Sequence, residues 1–356
     1  MTKEKKGRNT SQFLRVIGLL MSLAVLLLPL SVLAQQSTKT FVLKKADVQA
    51  LSNSRAHLSK AWAEEVEKRT QGRVKIRYYP AQTLLKAREM FEGIRTGVAD
   101  IGIWVQAYTP SISPISALWT LPGVSPKFRP AIRAANELIL EGDFVYFREE
   151  LRRLGVEPLY AWGVSDQEMI STKPIAGLAA LKGLKTRVIG REWPQLISKF
   201  DGTPVAMSWA EVYEALSRGT IDANVGFVAA NTTSKLYEVA KHHTQINLGA
   251  PAGPLAIINK RTWDSLPKDI QQAMREASRA YVDKLADIYE EEYQEDITEM
   301  KANGVRFYKW SSGDRAKLQV AMENLWEKWA NKMADKNIPG REALRRYIEL
   351  QEKYSR

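Results

Sequence analysis

The chain has 356 residues, 45% hydrophobic and 26% charged, a balance that fits an ordinary globular protein and excludes a disordered or collagen-like one. With no cysteine and only three histidines (His57, His242 and His243), it has no disulfide framework or thiolate chemistry and little material for an imidazole-rich metal centre. The net charge of +12 is no nucleic-acid signal: Lys3, Lys5, Lys6, Arg8 and Arg15 against Glu4 put +4 in the first 34 residues, and the remaining +8 forms no long basic run or groove-reading motif.

Residues 1–34 read as a signal peptide. A basic start leads into an apolar run from Val16 to Leu30, broken at Pro29, and Ser31-Val32-Leu33-Ala34 ends in the small residue a signal peptidase needs. The expected cut lies between Ala34 and Gln35. The alternative is a retained single-span anchor, since the run is nearly long enough to cross a bilayer. No cysteine follows it, which excludes a lipoprotein anchor. No comparable run occurs later, so the mature chain is expected in the periplasm and not embedded in the membrane.

The residues from Thr40 to Val48 predict a strand, and Ser52-Asn53-Ser54 caps a helix from Arg55 to Arg69 with Leu58, Ala61, Trp62 and Val66 on one face. A strand over 74–79 stops at Pro80. A helix over 87–96 and a strand over 99–105 follow. Five prolines then punctuate an irregular stretch, before a helix over 130–154 and a strand over 157–162. The second half repeats the alternation, with strands at 184–189, 203–207 and 221–227 and helices at 193–200 and 210–218. Short strands at 246–248 and 255–259 return toward the first half. This order predicts an α/β architecture with mostly parallel sheet. From Pro267 to Ala302 one helical pattern of about 36 residues spans ~54 Å, longer than one small domain needs, so it crosses two lobes or kinks between them. Two more amphipathic helices, around 318–333 and 344–351, close the chain.

Motifs for enzymatic chemistry are missing. No G-x-S-x-G, H-E-x-x-H or phosphate-loop sequence occurs, and no motif places a carboxylate pair for acid–base work. The adjacent His242 and His243 would diverge on a helix and read as surface or interface packing. Arg187, inside the apolar strand edge Thr186-Arg187-Val188-Ile189, needs a counter-charge: a ligand carboxylate held in two-point contact, or an internal Asp or Glu. Trp104, Gln106 and Tyr108, at the end of another strand, either line a cleft or pack. Ligands of α/β sheets bind beyond the carboxyl ends of strands, which favours the cleft.

Three stretches in chain order resemble one family, the periplasmic solute-binding subunits of tripartite ATP-independent periplasmic (TRAP) transporters. Ala63 to Ile76 with Tyr79-Pro80 is similar to the family's first helix, strand and YP turn. Leu181-Lys182-Gly183-Leu184-Lys185-Thr186-Arg187-Val188 is similar to its LKGLK-x-RV signature. Trp209 to Leu216, Gly219 to Asp222 and Lys235 to Lys241 match its W-x-EVY-x-AL, G-x-xD and K-x-YEV pattern. The resemblance covers about residues 40–310. It implies a two-lobed, periplasmic-binding-protein-like α/β fold with a ligand cleft between the lobes and a long helix crossing both. The expected division is lobe I at 35–163 completed by about 247–285, lobe II at 164–246 completed by about 286–310, and C-terminal helices at 311–356 packed on the lobes.

The resemblance also implies that Arg187 holds an organic acid by its carboxylate, with a membrane permease as partner and no cofactor. Sialic-acid-type members carry a second arginine where this chain has Gln167, an acid near Val105, and an asparagine near Gly226, within the segment that holds Asn224. With Trp104, Tyr108, Trp162 and Phe227 nearby in the alignment, the pocket is expected to be less polar and to take a monocarboxylate, such as a 2-oxo, 2-hydroxy or aromatic acid. The candidate ligand-binding set is Arg187, Gln167, Trp104, Gln106, Tyr108, Trp162, Asn224 and Phe227. The alternatives are a ligand-sensing subunit for a membrane receptor and a periplasmic enzyme on the same scaffold.

Overall fold

The computed structural model describes residues 39–356 apart from Asn53, Gly142, Asp143 and Ser165; the expected signal segment lies outside them. The chain opens with β1 (Phe41–Ala46), α1 (Ser54–Arg69) and β2 (Val74–Tyr79). Helix α1 buries Leu58, Trp62, Ala63 and Val66, and it ends where Gln71 and Gly72 turn to positive φ, 53° and 76°. There the Gly72 N–H reaches back 2.8 Å to the Glu67 carbonyl, a left-handed stop that costs a residue without Cβ little. Next come α2 (Met90–Thr96), β3 (Ile101–Trp104), 3₁₀ turns at Gln106–Tyr108 and Pro114–Thr120, α3 (Phe128–Asn136), α4 (Tyr146–Arg153) and β4 (Val156–Ala161). The single helix expected over 130–154 is two helices with a π turn, Glu137–Glu141, after the first. Apolar spacing runs on through this region, which is why its periodicity reads as one helix.

The second set is β5 (Gln167–Ser171), β6 (Lys185–Val188), α5 (Glu192–Lys199), β7 (Thr203–Ala206), α6 (Val212–Ser217), β8 (Ala223–Phe227), α7 (Val228–Thr233) and β9 (His242–Gln245). The chain then returns through β10 (Leu255–Asn259), α8 (Lys260–Ser265), α9 (Lys268–Ala302), β11 (Arg306–Lys309), α10 (Ser312–Ala334) and α11 (Gly340–Ser355). The strands build two sheets, one ordered β2-β1-β3-β10-β4 and the other β11-β9-β5-β8-β6-β7. Both are mixed rather than mostly parallel, because β10 runs antiparallel to β3 and β4, and β5 antiparallel to β8 and β9. These antiparallel strands are where the chain passes from one sheet to the other. Strands β5 and β11 carried no strand expectation.

The strand expected at 246–248 lies earlier, at β9. Ile246 and Leu248 drop into the core of the second sheet, while the polar run His242–Gln245 does the pairing. Contrary to the surface reading, His243 is 0% exposed, and its Nε2 is hydrogen-bonded to buried Glu168.

The 35 residues of α9, about 52 Å at 1.5 Å each, serve both sheets. On the first-sheet side, Ser278 Oγ accepts the Trp62 indole N–H at 3.2 Å and the Tyr281 ring packs, tilted, 4.5 Å from that of Tyr160. Further along, Ile297 and Met300 share a core with Val212, Leu216 and Leu236 of the second set. Between these regions, Tyr289 donates to the Gly163 carbonyl at 2.9 Å and Tyr293 to Glu168 Oε1 at 3.2 Å, so α9 is bonded to the chain where it crosses between sheets.

Candidate functional site: a cavity between the two sheets

Strand direction decides what meets in the middle. In the first sheet Leu255, at the start of antiparallel β10, pairs with Trp104 at the end of β3 and Ala161 at the end of β4. The residues just beyond, Val105, Gln106, Trp162 and Pro254, therefore leave one edge of that sheet together. In the second sheet Gln167, at the start of antiparallel β5, pairs with Phe227 at the end of β8, while Arg187 of β6 pairs with Asn224 of β8. The carboxyl ends of the parallel strands in both sheets thus face one cavity of ≈ 320 Å³.

Six of the eight expected residues line this cavity: Arg187, Gln167, Gln106, Tyr108, Trp162 and Phe227. Two stand behind the wall. Trp104 is fully buried in the first lobe, its indole N–H donated to Thr109 Oγ1 at 2.9 Å and its ring 4.6 Å from Phe91. As the last residue of β3 it alternates away from the cavity side taken by its successors. Asn224 is also fully buried, and its Oδ1 accepts from Arg187 Nη1 at 3.4 Å, so it acts on the cavity through that guanidinium.

Arg187 is 2% exposed, and among the described residues no carboxylate forms an ion pair with it. Its Nε and Nη2 share the Met207 carbonyl at 3.2 Å, and Nη1 reaches Asn224 Oδ1 and the Val225 carbonyl at 3.4 Å. Burial holds its pKa below the ordinary arginine value, an effect that Tyr108 partly opposes. The contacts exceed the 2.7–2.9 Å of charge-assisted bonds. They orient the fork without neutralising it. Of the residues lining the cavity, Arg187 is the one charged side chain among the described residues.

The guanidinium carbon lies 5.4 Å from the Trp209 ring, which stacks on Phe227 at 5.6 Å. Trp209 is fixed by an indole N–H bond to Ser234 Oγ at 2.9 Å. Trp209 and Trp193 line the cavity but were not in the expected set, although Trp209 opens the motif quoted above. Their indoles are part of the apolar wall, together with Val105, Ile189, Val225 and Pro254. Gly226 accounts for the room Trp209 occupies, since a Cβ there would sit 2.8 Å from the indole Cζ3.

Hydrogen bonds also close the mouth. The Gly190 N–H donates to the Ala107 carbonyl at 3.2 Å, the Trp209 N–H to the Tyr108 hydroxyl at 3.1 Å, and the Trp193 indole N–H to the Thr120 carbonyl at 2.9 Å. Each joins the segment after β3 to the segment between β6 and α6, so the structure is in a closed arrangement.

The profile of the family described as "Bacterial extracellular solute-binding protein, family 7" matches residues 47–332. The chain belongs to this family. It is 25% identical over 91% of its length to the C4-dicarboxylate-binding periplasmic protein DctP of Rhodobacter capsulatus, covering 96% of that protein. It is 28% identical over 69% of its length to the 2,3-diketo-L-gulonate-binding periplasmic protein YiaO of Escherichia coli, covering 74% of that protein. In fold it is similar to a marine metagenome TRAP solute-binding protein specific for aromatic acid ligands, with a TM-score of 0.80, 24% identity, and coverage of 89% of this chain and 100% of that one. The fold is the two-lobed α/β fold of TRAP solute-binding proteins, and the chain is a binding protein, not an enzyme. Solute-binding proteins of TRAP transporters bind small ligands and work with membrane permeases.

Proposed function

We propose that this solute-binding protein captures a monocarboxylate in the cavity between its sheets, holds the carboxylate on Arg187, and delivers it to a TRAP permease. One observation carries the reading: a single guanidinium, without an ion-pair partner among the described residues, in a cavity wall otherwise made of apolar and neutral polar side chains. A ligand carboxylate supplies the missing counter-charge. Among the described residues no second cation lines the cavity to meet a second carboxylate, and an unpaired buried charge costs far more than a hydrogen bond returns. The ligands named for the relatives, from a C4-dicarboxylate to a diketogulonate and aromatic acids, show how widely pockets on this scaffold differ. Here the Gly226–Trp209 pair supports the less polar end of that range.

Contacts from both lobes to one ligand favour the closed arrangement, and closure is the signal a permease reads. The leader-like residues 1–34 and the periplasmic naming of the relatives support export to the periplasm with cleavage after Ala34; intact-mass measurement of the exported protein tests that cut. For the ligand, residues 35–356 are unfolded, refolded to strip carried solute, and melted against a panel of organic acids. Ligand at ~100-fold over Kd adds about 2.7 kcal/mol, a readable shift. The expected result is stabilisation by monocarboxylates; succinate outbinding every monocarboxylate would sink the reading.

A further inference from the structure

Arg187 accounts for one end of the ligand. The opposite wall has its own unmet demand. Gln106 is 3% exposed and lines the cavity with both Oε1 and Nε2 lacking a hydrogen-bond partner among the described residues. Trp162 is 2% exposed, lines the same cavity, and its indole N–H is likewise unpartnered. Both follow strands of the first sheet, β3 and β4, whose ends are joined through Leu255. Their backbones are tied down: the Gln106 carbonyl accepts the Thr109 N–H at 2.9 Å and the Trp162 N–H donates to the Pro254 carbonyl at 2.6 Å. A fourth unpartnered atom, Gln167 Oε1, belongs to a residue of the second sheet that lines the same cavity. Native structures rarely leave buried polar atoms unmet, and each that stays so in the complex weakens binding. Arg187, taken up by the carboxylate, is the one charged side chain lining the cavity among the described residues, so the complement is neutral. An indole and an amide nitrogen ask for an acceptor. The two amide oxygens ask for a donor.

Resting on the monocarboxylate reading, we propose that Gln106 and Trp162 form a second recognition point, which requires of the ligand a neutral group that both accepts and donates hydrogen bonds, such as a hydroxyl or a lactam, at the end remote from its carboxylate. The ligand class is thereby narrowed to hydroxylated or lactam monocarboxylates, in preference to plain alkyl or aryl acids. The same geometry makes the ligand a bridge: its carboxylate sits on the second sheet's lobe and its neutral polar group on the first.

The test is calorimetric binding of matched acids to the refolded mature chain. Suitable pairs are benzoate with 3-hydroxybenzoate and hexanoate with 6-hydroxyhexanoate. At least one pair is expected to show a preference of about 10-fold or more for the polar member, the usual size of discrimination when buried polar groups would otherwise go unpaired. Gln106→Leu is expected to bring that preference to within about threefold, chiefly by weakening the polar member. Trp162→Phe, which keeps the ring and removes the N–H, gives an independent reading if the Gln106 variant folds poorly. Equal binding within every pair, or a preference that survives both substitutions, overturns this inference and leaves the monocarboxylate reading standing. Failure of every acid to bind overturns both.

Discussion

Replacing Arg187 with Met removes the charge while keeping a side chain of similar reach. In the folded protein the guanidinium is buried, and its four hydrogen bonds, all 3.2–3.4 Å, go to three neutral acceptors. Two opposite effects follow. Without ligand the variant no longer carries the desolvation that lowers the arginine pKa, but it leaves the Met207 and Val225 carbonyls short of donors, at about 1 kcal/mol each. The unliganded melting temperature is therefore expected to stay within a few degrees of wild type. With ligand the two proteins part. Truncating one partner of a buried, hydrogen-bonded charge pair costs about 2–5 kcal/mol, which at 1.4 kcal/mol per decade is a roughly 30- to 4,000-fold loss of affinity. Titration calorimetry on refolded protein reads the difference. A Kd within threefold of wild type, in a variant that melts normally, would refute the claim that the cavity is built around a carboxylate.

Gly226→Ala drives a methyl group to 2.8 Å from Trp209 Cζ3, so the indole must leave its place under Arg187; overpacking at ~1–3 kcal/mol predicts a 5- to 150-fold weaker monocarboxylate complex, and unchanged affinity would show that Trp209 does not shape the site. Lys45, wholly buried beside Asp47, has its pKa pulled down to about 8 by burial. Between pH 8 and 10.5 the unfolded chain therefore binds the extra proton, and wild-type stability, measured by urea unfolding, should rise by up to ~3 kcal/mol relative to Lys45→Met; parallel curves from pH 7.5 to 9.5 would contradict this. Asp166 is shifted the other way, to about 6, by burial and then by Glu168, so its contribution is present at acid pH and lost as pH rises through 6. Asp166→Asn is expected to be ~1–3 kcal/mol more stable than wild type at pH 7 and level with it near pH 4; a variant less stable at pH 7 would point to a hydrogen bond that the carboxylate alone can make.

The apolar elements and the place of Arg187 at the cavity were legible from the sequence, for a physical reason. Helix α1, strand β10 and the long α9 announce themselves because burial imposes a period on them, and Arg187 stands out as a charge set among strand residues. Elements with polar interiors were not legible. Strand β9 hides behind His242, His243, Thr244 and Gln245, and β5 behind Gln167 and Glu168; the two strands pair antiparallel, and His243 and Glu168 are hydrogen-bonded to each other inside the protein. No local pattern reveals that pairing, since its members are 75 residues apart. Trp104 was misplaced for a related reason: an aromatic residue at a strand end faces the cavity or the core according to the pleat, and one residue's difference reverses it. Trp209 was missed because a motif residue was read for its family resemblance and not for the gap at Gly226 that it fills.

On the proposed reading, anchor and readers sit on different lobes, and that separation turns recognition into a switch. A ligand shifts an opening equilibrium only by the difference between its affinities for the two states. An acid that satisfied Arg187 alone would bind one lobe about equally well open or closed, and would shift little however tightly it was held. Contacts to Gln106 and Trp162 can be made together with the Arg187 contact only when the lobes meet, so the free energy of the second contact is available to closure. Moving an equilibrium from 1:99 to 99:1 takes about 5.5 kcal/mol. The bonds already spanning the mouth, Gly190 to Ala107, Trp209 to Tyr108 and Trp193 to Thr120, contribute net about 0.5–1.5 kcal/mol each and belong to the closed arrangement whether or not a ligand is present. They lower the closing cost without setting selectivity. Selectivity falls to the neutral polar contacts on the first lobe. The same contacts therefore decide which acid is recognised and whether the closed form offered to the permease is populated.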